Sequence, residues 1–390
     1  MKNAMVKFAA IALLTGSFMS AKAQNAEAIN VVTTAVPFLR ISPDARAGGM
    51  GDAGIATLPD ASSIFWNQAK IPFAKMKSAV SLTYTPWLKA LDLNDVYLIS
   101  ASGYHQLDEE QAISASVRYF SLGNIQFTDF SGFPLQQYRP REFSIDAGYS
   151  RKLSEAVGIG IALRYINSSL ANGSYGGAAY KPGSAVAGDL TLFYDGTESG
   201  DQSGINWGVT LSNLGTKIAY TSDAQQKDYI PANLGLGAAY VNVFDDETSK
   251  LTLALDVNKL LVPTPPPADQ RDPTTLEEYR NKSVVSSWFS SFGDAPGGFK
   301  EELKEFTISA GGEFSYNDQF LFRAGYFYEA PTKGDRQYFT VGAGLNYNMF
   351  GINFSYLIPT GSGVNRNPLS NTLRFSLLFN LDPDFSFGGN

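Results

Sequence analysis

Segments of about ten residues in which apolar and polar side chains alternate fill most of the chain, and this period constrains the fold more than any other feature. In Val157–Tyr165, for example, Val, Ile and Leu alternate with Gly, Ala and Arg, and Leu251–Asn258 and Leu373–Leu381 repeat the pattern. A period of two places successive side chains on opposite faces of a β-strand. No run of about 18 apolar residues follows residue 23, so the sequence predicts no transmembrane helix.

Fourteen segments show the alternation, which is typical of a transmembrane β-barrel with an apolar outer face and a polar lumen. We therefore predict an all-β fold, a 14-stranded antiparallel transmembrane β-barrel over residues 76–381, followed by a C-terminal tail, 382–390. The predicted strands are 76–85, 92–104, 111–122, 141–152, 156–170, 184–195, 204–214, 230–244, 249–260, 304–316, 319–330, 335–348, 350–359 and 369–381.

The predicted connections differ in length at the two ends of this barrel. Those after even-numbered strands are mostly short, such as 153–155 and 317–318, whereas 123–140 and 261–303 follow odd-numbered strands. Outer-membrane barrels have short periplasmic turns and long external loops, so we expect a location in the outer membrane with both termini periplasmic. A soluble β-sandwich would alternate in the same way, but it gives no reason for the asymmetry of the connections.

The first 23 residues have the organisation of a secretory signal peptide, with a basic start, an apolar run over Phe8–Met19 and an A-x-A cleavage site at Ala21–Ala23. Cleavage there changes the formal charge from −7 to about −10. An acidic chain argues against nucleic acid as a partner. The sequence contains no cysteine, which excludes disulfides and thiolate metal sites.

Residues 24–75 are predicted to form an N-terminal extension that plugs the barrel. Within them, Val36–Lys70 has neither the helical nor the strand period, and its prolines and glycines interrupt any regular element. The stretch still contains large apolar side chains that need partners, and a barrel wall can also satisfy its backbone polar groups. The residues expected to form this plug are Phe38, Arg40, Arg46, Gly49, Asp52 and Trp66.

Gly49–Gly54 in this stretch matches G-x-G-x-x-G, the pattern of dinucleotide-binding proteins. That pattern binds a pyrophosphate only where a strand precedes it and a helix follows. Pro43 and Pro59 flank the glycines, and no strand–helix–strand unit surrounds them. The glycines are therefore interpreted as turn residues, and no cofactor is predicted.

The plug sequence resembles the start of the PorV family, also called LptO. The similar stretches are residues 37–57 (PFLRISPDARAGGMGDAGIAT) and Trp66–Ala69 (WNQA). The family belongs to the type IX secretion system and is related to the FadL-like channels for hydrophobic compounds. The resemblance continues through the strand series, so it extends over nearly the whole chain after the signal peptide.

This resemblance implies an outer-membrane protein, not an enzyme, that binds exported cargo by its C-terminal signal domain at the translocon and shuttles it to the surface attachment complex. The implied partners are the type IX translocon barrel, the cargo signal domains, a sortase-like attachment complex, and outer-membrane lipid including lipopolysaccharide (LPS). A FadL-like channel for fatty acids or other hydrophobic compounds is the alternative, because a plugged barrel suits both. An LPS-modifying enzyme is a third hypothesis, which the lack of a catalytic set disfavours.

Charged residues at the predicted lumen-facing positions have two interpretations. They either line a solvated lumen or pair with Arg40, Asp44, Arg46 and Asp52 of the plug. The positions are Arg118, Asp146, Arg164, Asp189, Asp256, Glu313, Arg323 and Arg374. The single histidine, His105, falls on a predicted periplasmic turn without the arranged nucleophile that a hydrolase needs.

The connection 261–303 is the most informative external loop. Four prolines open it, and Thr274 and Glu277 have the capping-box spacing of a helix start. An apolar helical face then follows at i, i+3, i+4 and i+7: Val285, Trp288, Phe289 and Phe292. This face is interpreted either as a partner-binding site or as a surface that packs on the barrel rim or the outer leaflet.

Overall fold

The structure is a computed structural model that describes residues 29–128, 131–175, 178–221, 227–244, 248–360, 369 and 372–382. The predicted signal peptide, 1–23, and all but the first residue of the predicted tail, 382–390, lie outside these residues. In the described part of the chain, fourteen antiparallel strands close into one barrel, which confirms the predicted fold class.

The described residues form eighteen strands, fourteen of which belong to the barrel. In chain order they are β1 (Ser78–Pro86), β2 (Val96–Gln106), β3 (Gln111–Leu122), β4 (Ile125–Thr128), β5 (Pro134–Tyr138), β6 (Arg141–Lys152), β7 (Val157–Ser169), β8 (Gly173–Tyr175), β9 (Ala178–Tyr180), β10 (Gly183–Tyr194), β11 (Gly204–Gly215), β12 (Asn233–Val243), β13 (Ser249–Leu260), β14 (Phe306–Tyr316), β15 (Phe320–Tyr328), β16 (Gln337–Tyr347), β17 (Phe350–Pro359) and β18 (Leu373–Asn380). Strands β4–β5 and β8–β9 form two separate hairpins, and the others form the barrel. β1 pairs with both β2 and β18, so the barrel closes on itself.

The barrel strands follow the predicted segments closely. β3, β6, β13 and β17 have the predicted bounds, and each other barrel strand overlaps its predicted segment. The two hairpins are absent from the prediction, because their short strands carry no sustained alternation.

The alternation arises because lipid and lumen lie on opposite sides of each strand. In β13, Leu253 and Leu255 are exposed on the outer face, whereas Thr252, Ala254 and Asp256 are buried on the inner face. The buried interior of the molecule therefore lies inside the barrel.

The connections between barrel strands define two ends, which we call the short-turn end and the long-loop end. The short-turn end carries residues 107–110, 153–156, 195–203, 244–248, 317–319 and 348–349. The long-loop end carries residues 87–95, 123–140, 170–182, 216–232, 261–305, 329–336 and 360–372. The predicted asymmetry is present, although 195–203 is a longer turn than expected.

Helices are short and lie outside the barrel strands. The α-helices of the described residues are α1 (Ala45–Gly48), α2 (Ser63–Trp66), α3 (Pro273–Asn281), α4 (Val284–Ser290) and α5 (Phe299–Glu302). The 3-10 helices are Pro37–Arg40, Gln68–Phe73, Lys89–Leu91, Ala268–Gln270 and Leu303–Glu305. None of the helices in these ranges has both the length and the apolar character needed to cross a membrane.

Candidate functional site

Residues 30–74, here called the inner segment, run through the lumen from one end of the barrel to the other. At the long-loop end, the Asn30 N–H donates to the Thr332 carbonyl at 3.0 Å and its side-chain Nδ2 donates to the Pro265 carbonyl at 3.2 Å. At the short-turn end, Gln106 Nε2 donates to the Ala74 carbonyl at 2.8 Å. The inner segment therefore contacts connections or strand ends at both mouths of the barrel.

The first large apolar residues of the inner segment, Val36, Phe38 and Leu39, pack near the long-loop end. Phe38 is fully buried, and its ring stacks on Phe120 with 6.4 Å between centroids. The Arg118 guanidinium lies over the Phe65 ring at 4.9 Å and donates to the Leu39 carbonyl at 3.3 Å. The same cluster includes Val36, Leu98, Ile166, Ala185, Ala187, Ile218 and Ile230. The large apolar side chains at the start of the inner segment therefore pack against the inner wall and the connection 216–232.

Glu313 joins the inner segment to the wall through two arginines. Arg46 of α1 donates to both of its oxygens, from Nε at 3.1 Å and from Nη2 at 2.8 Å. Arg323 of the neighbouring strand donates to the same carboxylate from Nε at 2.6 Å. Arg46 also pairs with Asp60 of the inner segment at 3.0 Å. A bidentate arginine–carboxylate pair fixes orientation as well as distance, so α1 is held at one position against β14.

Three further residues of the wall hold the middle of the inner segment. Asp52 accepts a hydrogen bond from the Tyr338 hydroxyl at 2.6 Å and pairs with Arg374 at 3.4 Å. Asp256 Oδ2 accepts the backbone N–H groups of Gly54 and Ile55 at 2.7 Å and 2.9 Å. These contacts involve β13, β16 and β18, so the inner segment is attached to widely separated parts of the wall.

Trp66 and Asn67, from the WNQA run, shape the turn toward the short-turn end. Trp66 Nε1 donates to Asp44 Oδ2 at 2.7 Å, while the other oxygen of Asp44 caps α1 by accepting the Ala47 N–H. Asn67 donates to the Leu192 carbonyl of β10 at 2.9 Å, and its side-chain oxygen accepts the Ala69 N–H. Both residues therefore make polar contacts that a generic turn residue could not make.

The glycines of the G-x-G-x-x-G match have structural roles. Gly51 has a φ of 70°, and a Cβ on it would lie 2.6 Å from the Tyr326 backbone nitrogen. A Cβ on Gly54 would lie 2.4 Å from the Trp66 ring. Helix α1 ends before Gly49, and no helix follows directly, so the strand–glycine–helix geometry of a dinucleotide site does not occur here.

Some of the lumen-facing charges pair with the wall and not with the inner segment. Arg164 forms ion pairs with Asp146 and with Asp189, the latter at 2.9 Å. Asp189 also accepts the Asn213 N–H at 2.7 Å, at the register shift between β10 and β11. The structure thus divides the predicted charges into a wall cluster and a set that binds the inner segment. Arg40 of the inner segment pairs with none of the predicted lumen-facing charges. Its guanidinium lies 3.6 Å from the carboxylate of Glu329, which belongs to a long loop.

Two cavities of the described part of the chain lie on opposite sides of the inner segment. One of about 130 Å³ faces the long-loop end, and its mixed lining includes Arg40 and Lys333 as well as Phe65 and Phe327. The other, of about 170 Å³, faces the short-turn end and includes Met76, Lys250 and Leu378. The cavities share no lining residue. The inner segment therefore separates them.

The loop 261–303 contains two helices and presents only part of the expected apolar face. α3 is capped by Asp272, whose carboxylate accepts the N–H groups of Thr274 and Thr275, so the N-cap lies two residues before the one predicted at Thr274. α4 ends at Ser290, so Phe292 lies beyond it. Trp288 is half-buried in a pocket formed with Lys217, Tyr229, Ala232, Leu261 and Val262. Val285, Phe289 and Phe292 are exposed. The expected single four-residue face is therefore divided, because packing on the rim turns Trp288 inward.

The base of this loop is held by buried lysines that the sequence pattern did not single out. Lys259 pairs with Glu302 and Glu305 at 2.6 and 2.7 Å. Lys333 pairs with Glu301 and Glu305 at 2.6 and 2.9 Å. Burial by itself raises the pKa of Glu305, but hydrogen bonds from Lys259, Thr264 and Lys333 outweigh it and lower that pKa overall. A lysine at an inward position near a strand end, next to a glutamate-rich loop, is the signal that could have identified this cluster.

The two ends of the described chain lie at opposite ends of the barrel. Asn30 contacts the long loops, whereas Asp382 accepts the Lys77 N–H at 2.9 Å at the short-turn end. The inner segment spans the whole lumen before β1 begins. The first and last residues of the chain lie outside the described ranges, so the expectation that both termini are periplasmic stays a prediction.

His105 lies at the end of β2 and not in the turn, where its Nδ1 is 2.7 Å from the Ser78 hydroxyl. Both groups are exposed at the short-turn end. In the described ranges, no group of three or more His, Asp or Glu residues is arranged to hold a metal ion.

Comparisons with known proteins place the chain in a family. The family model for "Type IX secretion system protein PorV" matches residues 22–267. The TodX deltaS2S3 mutant monoaromatic hydrocarbon channel is 13% identical, with 87% of this chain and 99% of that chain covered at a TM-score of 0.51. The Pseudomonas putida toluene transporter TodX is 12% identical, with 90% and 98% covered at a TM-score of 0.50.

A Pseudomonas aeruginosa FadL homologue is 10% identical, with 90% of this chain and 100% of that chain covered at a TM-score of 0.46. Comparison with curated proteins gives no match. At such identities, the likeness to the two TodX channels shows the fold alone. The family match extends over more than half of the 390 residues, and the chain is therefore an outer-membrane β-barrel that belongs to the PorV family of type IX secretion system proteins.

Proposed function

We propose that this barrel binds exported cargo proteins at its long-loop end, through their C-terminal signal domains, as they leave the type IX translocon barrel. It then transfers them to a cell-surface attachment complex that contains a sortase-like protease. Family membership supports a role in secretion. The partners and the direction of transfer are our proposal.

The observation that carries this proposal is the occupied lumen. The inner segment contacts the wall through Glu313, Asp256 and Arg374, and the two larger cavities described beside it are about 130 and 170 Å³. A folded cargo domain is far larger than either cavity. Binding of a protein therefore has to occur on an outer surface of the barrel.

The long-loop end offers the surface that suits a protein partner. Exposed apolar side chains are concentrated on the loop 261–305, where they comprise Val285, Phe289, Phe292, Phe299 and Leu303. Exposed aromatic residues supply most of the binding energy in many protein interfaces. The outward side chains of the strands contact outer-membrane lipid, so lipid and lipopolysaccharide surround the barrel without entering it.

Site-specific photo-crosslinking tests the proposal in whole cells. A photoreactive amino acid at Phe289, which is 75% exposed, should crosslink to secreted cargo and to the translocon barrel. The matched control is Leu153, which is 60% exposed on a turn at the opposite end and should give neither product. Recovery of lipid alone from Phe289, or equal cargo recovery from both positions, would contradict the proposal.

The second candidate is a FadL-like channel for fatty acids or other hydrophobic compounds, and the fold of the two TodX channels favours it. The character of the lumen argues against it, because charged groups such as the partly buried Arg46 and the buried Glu313 and Arg374 would face a hydrophobic solute. Uptake of a labelled fatty acid by cells with and without the protein distinguishes the two. Uptake that depends on the barrel, with normal secretion in its absence, would replace our proposal with the channel.

A further inference from the structure

The path of the inner segment places its first residues on the opposite side of the barrel from β1. Ile29 is 74% exposed, and Asn30 directly after it hydrogen-bonds to the carbonyls of Pro265 and Thr332. Both carbonyls belong to connections at the long-loop end. The segment then descends the lumen and leaves it at Ala74, next to Gln106 at the short-turn end. One chain thus enters at one mouth and leaves at the other.

Residues 30–40 are attached to the rim by several independent contacts. Val32 packs between Tyr229 and Val262, and the Ala35 N–H donates to the Tyr229 carbonyl at 2.8 Å. Arg40 pairs with Glu329 at 3.6 Å. Asn30 is 5% exposed. The beginning of the inner segment therefore links the connections 216–232, 261–305 and 329–336 to one another.

We infer that the chain is threaded through its own barrel, so that Ile29 lies exposed on the long-loop face and residues 30–36 connect the long loops to one another. The long-loop face therefore includes Ile29, the first described residue, as part of its surface. This inference is independent of the proposed cargo binding.

The absence of cysteine from the sequence allows a direct test by single-cysteine labelling in cells. We would prepare Ile29→Cys, with Phe133→Cys as the long-loop reference and Leu153→Cys as the short-turn reference. The two reference side chains are 68% and 60% exposed, comparable to Ile29. A membrane-impermeant maleimide is applied to intact cells and then to permeabilised cells, and barrel folding is verified by heat-modifiable gel mobility.

Ile29→Cys should react in the same state as Phe133→Cys, with labelling in intact cells at least about tenfold above that of Leu153→Cys, a ratio that corresponds to about 1.4 kcal/mol. Labelling of Ile29→Cys only after permeabilisation, together with Leu153→Cys, would overturn the threaded path. Failure to label in either state, in a folded barrel, would contradict the exposure of Ile29 and overturn it as well. A short epitope inserted ahead of Ile29, read by antibody binding to intact cells, provides a second measurement with the same two outcomes.

Discussion

The inner segment and the loop 261–303 are both irregular, proline-containing stretches, yet they use their side chains in opposite ways. The inner segment buries Phe38 and Met50 completely and pairs Arg46 and Asp52 with charges on the wall. The long loop buries its charged base, through Lys259 and Lys333, and leaves Phe289 and Phe299 exposed. The inner segment fills the lumen of the barrel. The loop 261–303 packs on the rim of the barrel and exposes an apolar surface.

This difference indicates where each stretch should be sensitive to change. Substitutions in the inner segment should act on closure and stability, because its residues have partners on many strands. Substitutions at the exposed tip of the loop should act on binding, because its residues have few partners within the chain. Four experiments test this division between residues that determine stability and residues that determine binding.

The largest effect is expected from deletion of residues 37–69. The intact protein should pass almost no ions in a planar lipid bilayer, because the inner segment occupies the lumen. Without these residues the barrel should conduct steadily, since a polar lumen of fourteen strands fills with water. The matched control removes residues 273–292 from the long loop and should leave the bilayer closed. Large steady channels from the intact protein would refute a sealing role.

Loss of one buried carboxylate should have the next largest effect. Glu313→Gln leaves the buried Arg323 and the partly buried Arg46 without the charge that they share, and breaking a buried pair in this way costs about 3 kcal/mol or more. The free energy of unfolding in urea should fall by that amount. Arg151→Gln removes the exposed pair with Glu110 and should change it by about 1 kcal/mol or less. Equal effects from the two variants would mean that the lumen is solvated.

The sequence predicted the strands because the environment repeats along each one. Lipid on one side and lumen on the other force the same alternation on every barrel strand, so the bounds of β13 and β17 could be read directly. The hairpins β4–β5 and β8–β9 lie beyond the membrane, where nothing imposes an apolar face, and no period marked them.

The candidate site was predictable in its residue types but not in its pairings. A need for partners at Arg46 followed from its charge, but the choice of Glu313, 267 positions away, depends on the closed barrel. Spacing placed Trp288 and Phe289 on one helical face. The pocket around Tyr229 and Val262 determines which side of α4 packs on the rim. No pattern in the sequence indicates that contact.

The third prediction separates these two neighbouring aromatic residues. Phe289→Ala should leave barrel stability unchanged and weaken capture of cargo or translocon by about thirtyfold, which corresponds to about 2 kcal/mol at an interface anchor. Trp288→Ala should instead loosen the loop, because it empties the pocket on the rim, and protease cleavage within 261–303 should accelerate. Leu153→Ala at the short-turn end is the control for binding. Unchanged partner binding in the folded Phe289→Ala barrel would remove this residue from the binding surface.

The smallest expected effect is the pH dependence of the loop base. Hydrogen bonds from Lys333, the Gly297 N–H and Asn30 lower the pKa of Glu301 despite the opposing effect of burial, and the pKa of Glu305 is lowered by Lys259, Thr264 and Lys333 in the same way. A carboxyl group whose pKa is lower in the folded state contributes stability that is complete above the ordinary glutamate pKa and is lost as the pH falls through the lowered pKa. The loop should therefore resist proteolysis equally at pH 7 and pH 6.

Protection of the loop should then decline as the pH falls below about 4.3, the ordinary pKa of glutamate. The barrel should keep its gel mobility over the same range, because the sheet hydrogen bonds do not titrate. Glu305→Gln cannot ionise, so its loop should already be more readily cleaved at pH 7, and its cleavage should vary less with pH than that of the intact protein. If acid accelerates cleavage equally in both proteins, the loop is held by contacts other than these carboxylates. The contrast with the inner segment would then rest on the exposed aromatic residues alone.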